Sequence, residues 1–434
     1  MSRIAQPLTR PTQSRLRRVL PSGSRRLLDA AIAAAREQRC ELWAVGGAVR
    51  DVAAGVVPRE IDLATDGDAG RLARRIARAQ GLPRDAVRPE PRFGTASIES
   101  IDDGATHHLD IAQLRAERYA RPGALPEVRY GATIEQDLVR RDFTVNAMAL
   151  ALVGPDGAPR ARGLIDPLGG FADLQARLLR AHHSRSFVDD ATRLWRGARF
   201  AARLSLRTEP ATARWIAEGG RWLAPISGQR IWAEFERLAA ERPVGSALAR
   251  LEAWGALTAT HRALASADAA AHALRRRRGP VAPELLLALL LAGRRADTRR
   301  AAVDRFAATR SARLAAEDAA ALLAAGRRAA GRAPTPVALD RLTGTEQPAR
   351  DAALWLDATG QRPLQRALRR WERTASPLTA TALMELGVPP GPRLGRLLAL
   401  LRRERFLGRL NGAVEARAQV RRELDAARRA EVRG

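Results

Sequence analysis

From Glu41 to about Gly163, the apolar residues come in short runs that partly alternate with polar ones. The segments "ELWAV", "REIDLAT", "TASIES" and "HHLDIAQL" fit strands with one buried face. Ahead of them "RRLLDAAIAAAREQRC" has helical spacing, and "DLVRRDFTVNAMALAL" near the end of the region also reads as a helix. Beyond Asp166 the strand pattern fades. "DATRLWRGARFAARL", "RIWAEFERLAAE", "ELLLALLLAGRRA" and "LGRLLALLRRERFLGRL" are helical, and Gly and Pro break them at "RTEP", "RRGP", "GRAPTP" and "GVPPGP". The pattern predicts an α+β chain: a mixed α/β head with a small β-sheet, then an all-helical remainder.

Composition narrows this picture. With 434 residues there is room for about three domains of ~150 residues each. Hydrophobic residues make up 46%, enough for a sizeable core, which excludes a disordered chain. Aromatic residues are only 4%, while Ala and Leu dominate, which favours helices over an all-strand fold. The formal net charge is +27, and every basic residue is Arg. A large acidic partner follows, and nucleic acid fits best. A solvated, Arg-studded helical surface is the plainer alternative. Cys40 is the single cysteine, so no disulfide or cysteine-based zinc site can form within the chain, in keeping with a reducing cytoplasm. The longest apolar run, Leu285 to Gly293, is too short to span a membrane. Residues 1–24 are rich in Pro, Ser and Arg and are expected to be a basic, disordered extension, favoured over an organelle transit peptide.

The candidate chemistry begins at "AVGGAVRD". Gly46 and Gly47 lie where a strand meets a helix, so backbone N–H groups there can approach an anion closely, and Arg50 can reach the same phosphates. Alone, such a turn is more often a tight connection. Glu60 and Asp62 are two residues apart on an expected strand and so share a face; side by side, two carboxylates repel unless a cation lies between them. Asp110, on a later strand, can be brought beside the pair. Three converging acids next to a phosphate-gripping turn suit two-metal phosphoryl transfer, and a solvated strand face is the alternative. In "RRDFTVNAMA", Arg141 can hold phosphate. Asp142 and Asn146, four apart on the expected helix, can bond a ribose hydroxyl or form a capping network. Asp190, Arg193, Arg196 and Arg199 recur every three residues as one drifting stripe. An Asp–Arg pair offers an acceptor beside donors. It therefore matches the base edges of cytosine and adenine and leaves groups unpaired against uracil or guanine. An intrahelical salt bridge is the commoner use of such spacing.

Together these segments resemble the class II tRNA nucleotidyltransferase and bacterial poly(A) polymerase family, within the polymerase-beta-like nucleotidyltransferases. The stretches "VGGAVRD", "EIDLAT", "RRDFTVNAMA", "GLIDPLGGFADL" and "SFVDDATRLWRGARFAARL" occur in the family's order. "ISGQRIWAEFERLA" and a tail-like "LGVPPGPRLGRLLALLRRERFLGRL" follow. The resemblance implies a catalytic head (25–163), a helical neck (164–240) with base- and RNA-binding elements, a helical body (241–345) and a tRNA-binding tail (346–434). It implies stepwise, template-free addition of CMP and AMP, from CTP and ATP, to the 3′ end of tRNA, with Mg²⁺ as cofactor and no membrane or protein partner. By position, Gly47, Arg50 and Arg141 would contact the triphosphate, beside the Gly46 of the turn read above. Asp62 would bind metal and Glu60 sits where a second metal-binding acid belongs, with Asp110, from the strand reading above, as the third catalytic acid. Asp142 would face the ribose; Asp190 and Arg193 would read the base; Arg196 and Arg199 would support the nucleotide.

Some positions depart from the family. Glu60 stands where Asp is usual, moving the carboxylate outward by roughly 1.5 Å, one C–C bond. This motivates a reading of another class, an RNA-binding relative that no longer catalyses. CC-adding, A-adding and poly(A)-forming activities are alternatives within the same class. "RAERYARPGALPEVRYGA" lies where the family has a flexible loop that helps the switch from C to A. The adjacent pairs His107–His108 and His182–His183 are read as surface or incidental.

Overall fold

The computed structural model describes residues 8–102, 104–158, 163–265, 279–328 and 363–431, together with 270, 274, 351 and 352. The chain divides into two compact units. One comprises 1–265 with 277–280, the other 266–276 with 281–434.

The first unit opens with α1 (Gln13–Val19) and α2 (Ser22–Glu37). Next come β1 (Leu42–Val45), α3 (Gly47–Ala53), β2 (Ile61–Thr65), α4 (Ala69–Ala79), β3 (Val87–Glu90), β4 (Thr95–Asp102) and β5 (Ala105–Gln113). A hairpin of β6 (Arg115–Arg118) and β7 (Glu127–Tyr130) leads to α5 (Ile134–Val139), β8 (Ala149–Val153) and β9 (Leu164–Ile165). After these come α6 (Gly170–Gln175), β10 (Leu178–Leu179), α7 (Ser186–Asp189), α8 (Arg193–Arg203), β11 (Arg207–Thr208), α9 (Pro210–Gly219) and α10 (Gly228–Ala239).

Seven strands form one sheet in the order β3-β4-β5-β2-β1-β8-β9. Within it β2 and β5 run parallel, with Asp62 opposite Asp110, and the other neighbours pair antiparallel. Strand alternation separates the two faces. Ile61, Leu63, Ile98, Leu109 and Ile111 point to one side, where they join Leu27, Leu28 and Ala31 of α2 and Leu72 and Ile76 of α4 in the main core. The intervening residues Asp62, Ser97, Glu99, His108 and Asp110 therefore share the opposite face. Trp43, Val45 and Ala64, on that opposite side, pack with Ile134 and Leu138 of α5.

The structure corrects several expectations. Glu60 is not on the strand; β2 begins at Ile61, and Glu60 is exposed just before it. "DLVRRDFTVNAMALAL" is not one helix. Instead α5 ends at Val139, a short 3₁₀ turn covers Thr144–Asn146, and Ala149–Val153 is a fully buried strand. A short apolar run fits a buried strand and a buried helix alike, and here pairing with β1 and β9 decides it. Strand structure also passes residue 163, because β9 belongs to the main sheet and β10 pairs with β11.

The basic start of the chain is also ordered from residue 8 onward. Thr12 caps α1 by accepting from the Arg15 N–H, and Leu16 and Leu20 enter the main core. His107 is not a surface residue: it is buried on the α2 side, 2.9 Å from Ser24 Oγ.

In the second unit the described helices are Pro283–Leu291, Ala296–Arg305, Arg310–Arg328, Pro363–Arg373, Ala380–Glu385, Pro392–Phe406 and Ala413–Glu431. Leu378, Leu383, Val388, Leu397, Leu401 and Val420 form a core there. The expected body–tail boundary at 345 lies outside the described residues. Among the described residues no helix is long and apolar enough to cross a membrane.

Because α1 contributes to the core, Leu16→Ala is expected to destabilise the first unit by about 3 kcal/mol, as a buried Leu-to-Ala change does. Urea unfolding followed by circular dichroism checks this; an unchanged midpoint would return α1 to the status of a loose extension.

Candidate active site

A cleft of about 790 Å³ opens on the polar face of the sheet. It is lined by all thirteen residues singled out from the sequence, contributed by the turn after β1 and by α3, by Glu60 and the β2 that follows it, by β5, by the segment after α5, and by α8 with Asp190 before it.

The glycine turn comes first. Gly46 has φ +64, a left-handed conformation, and a Cβ there would stand 2.9 Å from Arg141 Nη1. Both reasons call for glycine. Asp62 Oδ2 lies only 3.5 Å from the position a Cβ on Gly47 would take, so the turn and the acid are adjacent. Arg50, four residues on, is almost fully buried. It donates from Nε to Asp51 Oδ1 at 2.8 Å and from Nη1 to Asn146 Oδ1.

Behind the turn, Asp137 anchors two arginines. Arg141 Nη2 donates to its Oδ2 at 2.9 Å and Arg140 Nη2 to its Oδ1 at 2.7 Å. Burial alone would raise the Asp137 carboxyl; Arg141 and Arg140 outweigh it and hold the group below the usual range. Arg140 Nη1 also reaches Glu117 on β6 at 2.8 Å.

Asp142 and Asn146 do meet, although not on a helix: Asn146 Nδ2 donates to Asp142 Oδ1 at 3.0 Å across the 3₁₀ turn. Arg196 Nε donates to the other Asp142 oxygen at 2.7 Å. Burial would raise this carboxyl, but Arg196, the Asn146 bond and Arg193 overcome it and keep it firmly ionised.

On α8 the stripe is shorter than expected. Asp190 precedes the helix in extended backbone, and α8 starts at Arg193. No Asp190–Arg193 salt bridge is present. Arg193 Nη2 donates to the Arg140 carbonyl at 2.8 Å, and Asp190 Oδ1 accepts from the Thr192 N–H, Thr192 Oγ1 and Arg230 Nη2. All three of these bonds fall on Oδ1, so the Asp190 carboxylate is oriented with its second oxygen uncommitted.

Arg196 and Arg199 face buried acids. Glu234 of α10 accepts from Arg199 Nη2 at 3.0 Å and from Arg237 Nη1 at 2.7 Å, and Glu241 Oε1 lies 3.5 Å from Arg199 Nη1 and 3.9 Å from Arg203 Nη1. The guanidinium carbons of Arg50, Arg196, Arg199 and Arg203 all lie 5.2–5.6 Å from the centre of the Phe200 ring. Burial and the neighbouring Arg50 push Arg203 down to about 10.

Sequence reasoning missed Arg115, Glu117, Tyr119, Arg203 and Arg237, which also line the cleft, and the acids that neutralise it. A signal was present for Glu234. It falls in the apolar stripe Ile231, Phe235, Leu238 of α10, where a charge needs a buried partner. His182 was read as incidental, yet both its ring nitrogens are buried; burial, aided by Arg193, pushes its pKa down to about 4.

Asp62 and Asp110 stand side by side at the sheet's centre, and Glu60 precedes β2 on the cleft wall. Asp62 is lifted to about 7 by desolvation and by the charges of Glu60 and Asp110, against the pull of Arg141 and Arg50. A cation would relieve that excess negative charge, and carboxylate oxygens suit a hard divalent ion. Among the described residues no three His, Cys, Asp or Glu side chains form a complete metal cage. Asp62 with its neighbouring acids could hold a divalent ion only if the remaining ligands came from substrate phosphates and water.

Comparison with known proteins adds three findings. The poly(A) polymerase head domain family matches residues 42–180. A CC-adding tRNA nucleotidyltransferase of Deinococcus radiodurans is 37% identical over 394 residues, 89% of this chain and 90% of that protein; an A-adding tRNA nucleotidyltransferase of Halalkalibacterium halodurans is 39% identical over 231 residues, 51% of each. In fold, the chain is similar to the Thermotoga maritima CCA-adding enzyme solved with tRNA, with TM-score 0.70 and 24% identity over 96% of this chain and 100% of that one.

Glu234→Ala removes the buried acid shared by Arg199, Arg196 and Arg237 and leaves Arg199 only Glu241, at 3.5 Å, so it should cost about 3 kcal/mol, the scale for breaking a buried ion pair. Denaturant melts of the purified variant measure this, and a loss under roughly 1 kcal/mol, the range of surface pairs, would mean that the cluster is effectively solvated.

Proposed function

Because the chain belongs to the tRNA nucleotidyltransferase and poly(A) polymerase family, we propose that it builds or repairs the CCA end of tRNA by template-independent addition of CMP and AMP from CTP and ATP. The observation that supports this reading is one cleft that joins a glycine turn, buried arginines, three acids, Asp190 and Arg193. Such work places the protein with tRNA in the cytoplasm.

In the reaction the terminal 3′-oxygen of the RNA bonds to the α-phosphorus, the bond from that phosphorus to the bridging oxygen breaks, and pyrophosphate leaves. The backbone of Gly46 and Gly47, with Arg50 and Arg141, binds the triphosphate. Asp142, fixed by Arg196 and Asn146, faces the ribose. Asp190 offers its uncommitted oxygen to the amino group of cytosine or adenine, and Arg193 donates to the adjacent ring nitrogen. Asp110, beside Asp62 on the parallel strand, takes the proton of the attacking hydroxyl. Glu60 and Asp62 would hold Mg²⁺, which supplies Lewis-acid polarisation and neutralises charge on the phosphates.

A narrower reading has its own support. The Deinococcus radiodurans relative, matched along nearly all of both chains, is a CC-adding enzyme. Incubation with labelled CTP or ATP separates the two. A tRNA lacking the whole CCA end and one lacking only the final A serve as primers, with an unrelated RNA as control. CMP followed by AMP supports the full CCA reading, CMP alone the CC-adding one, and RNA binding with no incorporation defeats both.

Asp62→Ala should lower incorporation by about 1,000-fold or more, the loss of several kcal/mol of charge stabilisation. EDTA should abolish it. Glu60→Asp should keep or raise the rate, while Glu60→Ala should lose about 10-fold or more, as changes around metal sites commonly do. A full rate in Glu60→Ala would remove Glu60 from the ligand set.

A further inference from the structure

Glu60 reaches the cleft from a segment that the sheet does not hold. Val56 N–H donates to the Asp51 carbonyl at 2.8 Å, and β2 begins at Ile61. Between them, residues 57–60 lie outside helix and strand. Glu60 also borders a smaller cavity of about 260 Å³ beside the cleft. A carboxylate carried on such a segment is only as well placed as the groups that anchor its neighbours.

Among the described residues one ion pair reaches this segment. Arg59 Nη2 stands 3.7 Å from Glu241 Oε2. Glu241 follows α10 and is buried, whereas Arg59 is half-exposed. The two oxygens of Glu241 serve different sides. Oε1 faces Arg199 Nη1 at 3.5 Å and Arg203 Nη1 at 3.9 Å, while Oε2 is buried, makes no hydrogen bond and faces Arg59. A buried carboxylate oxygen without a hydrogen bond is costly, and an approaching guanidinium offsets part of that cost. Arg59 is therefore drawn toward the end of α10. Two residues later, the ladder fixes Ile61 opposite Leu109. Glu60 is the one residue between these two fixed points.

Charge points the same way. Arg59 lines the cleft directly before an acid read as a cation ligand. As a free charge it would oppose a cation at Glu60 and Asp62. Paired with Glu241, its charge is taken up on the α10 side instead, and what remains of its influence on Glu60 is mechanical.

We propose that Glu241 is a positioning residue for Glu60, acting through Arg59: the pair latches the segment before β2 to the end of α10 and so sets the Glu60 carboxylate beside Asp62. The assignment rests on the reading of Glu60 as a divalent-cation ligand. Because Oε1 of the same acid faces Arg199 and Arg203, one buried carboxylate serves both the acidic and the basic side of the cleft.

The test compares the full chain with Arg59→Ala, Arg59→Lys, Glu241→Gln and Glu60→Ala. Electron paramagnetic resonance follows Mn²⁺ binding in the presence of CTP without RNA, and mass spectrometry reads amide hydrogen exchange across residues 56–60. Arg59→Ala and Glu241→Gln should weaken Mn²⁺ binding about tenfold, the scale for a group that orients a metal ligand, and should speed exchange in the segment. Arg59→Lys, which keeps a cation facing Glu241, should restore most of both. The Mg²⁺ concentration for half-maximal incorporation should rise by the same factor, with KM for CTP at saturating Mg²⁺ unchanged. Arg59 is half-exposed, so its variants carry the test should Glu241→Gln fail to fold. The direction of the effect is diagnostic. If Arg59 acted through its charge alone, Arg59→Ala would bind Mn²⁺ more tightly. If it bound phosphate, KM for CTP would rise at every Mg²⁺ concentration. Either result, or unchanged exchange, overturns the latch while Glu60→Ala still weakens Mn²⁺ binding. If Glu60→Ala binds Mn²⁺ as the unaltered chain does, the ligand reading fails and the latch with it.

Discussion

The site depends on holding several arginines together in a poorly hydrated place. Four guanidinium groups surround the ring of Phe200, and Arg50 and Arg199 among them are almost fully buried. Like charges so placed would force the helices apart without opposing groups. The protein supplies these from the cleft wall and from behind it. Asp51 pairs with Arg50, Asp142 with Arg196, Glu234 with Arg196, Arg199 and Arg237, and Glu241 with Arg199 and Arg203. The Phe200 ring adds a cation–π contribution to these ion pairs. The result is a pre-oriented basic surface whose donors need little reorganisation to meet phosphate oxygens.

The acids have the reverse problem, and strand pairing sets it. A parallel β2–β5 ladder sets Asp62 beside Asp110 on one face, so the two carboxylates share one small space. Asp62 accordingly resists ionisation in the absence of a cation. Basic and acidic halves therefore meet at the Gly46–Gly47 turn, where the absence of side chains lets Arg141 and Asp62 both approach the backbone. A bulkier residue there would push the basic half of the cleft away from the acidic half.

Much of this was legible in the chain. Strand alternation around Asp62 and Asp110 located the acids, and the three-residue spacing of Arg193, Arg196 and Arg199 located the basic helix, because both are local periodicities. What stayed hidden depends on partners distant in sequence. Nothing within "DLVRRDFTVNAMALAL" reveals that Ala149–Val153 pairs with β1 rather than continuing α5. Nothing near Asp190 shows that Arg230, forty residues on, takes the place expected of Arg193. The order of residues 8–24 was obscured by composition: Arg and Ser dominate the segment, and two leucines, Leu16 and Leu20, anchor it in the core.

The position of Glu60 bears on the longer arm that sets it apart from the usual Asp. An extra methylene within a sheet row would have to be accommodated by the neighbouring strand, where Asp110 already stands. Glu60, however, precedes β2, is exposed, and follows Arg59 in a segment outside the ladder. Its backbone is not fixed by the register that holds Asp62 against Asp110. The added length is therefore taken up at the mouth of the cleft, where a long side chain can bend back toward Asp62 without disturbing the β2–β5 pair. The same exposure places Glu60 on the wall shared by the cleft and the smaller cavity beside it. A residue at that border needs reach more than rigidity, and glutamate has it.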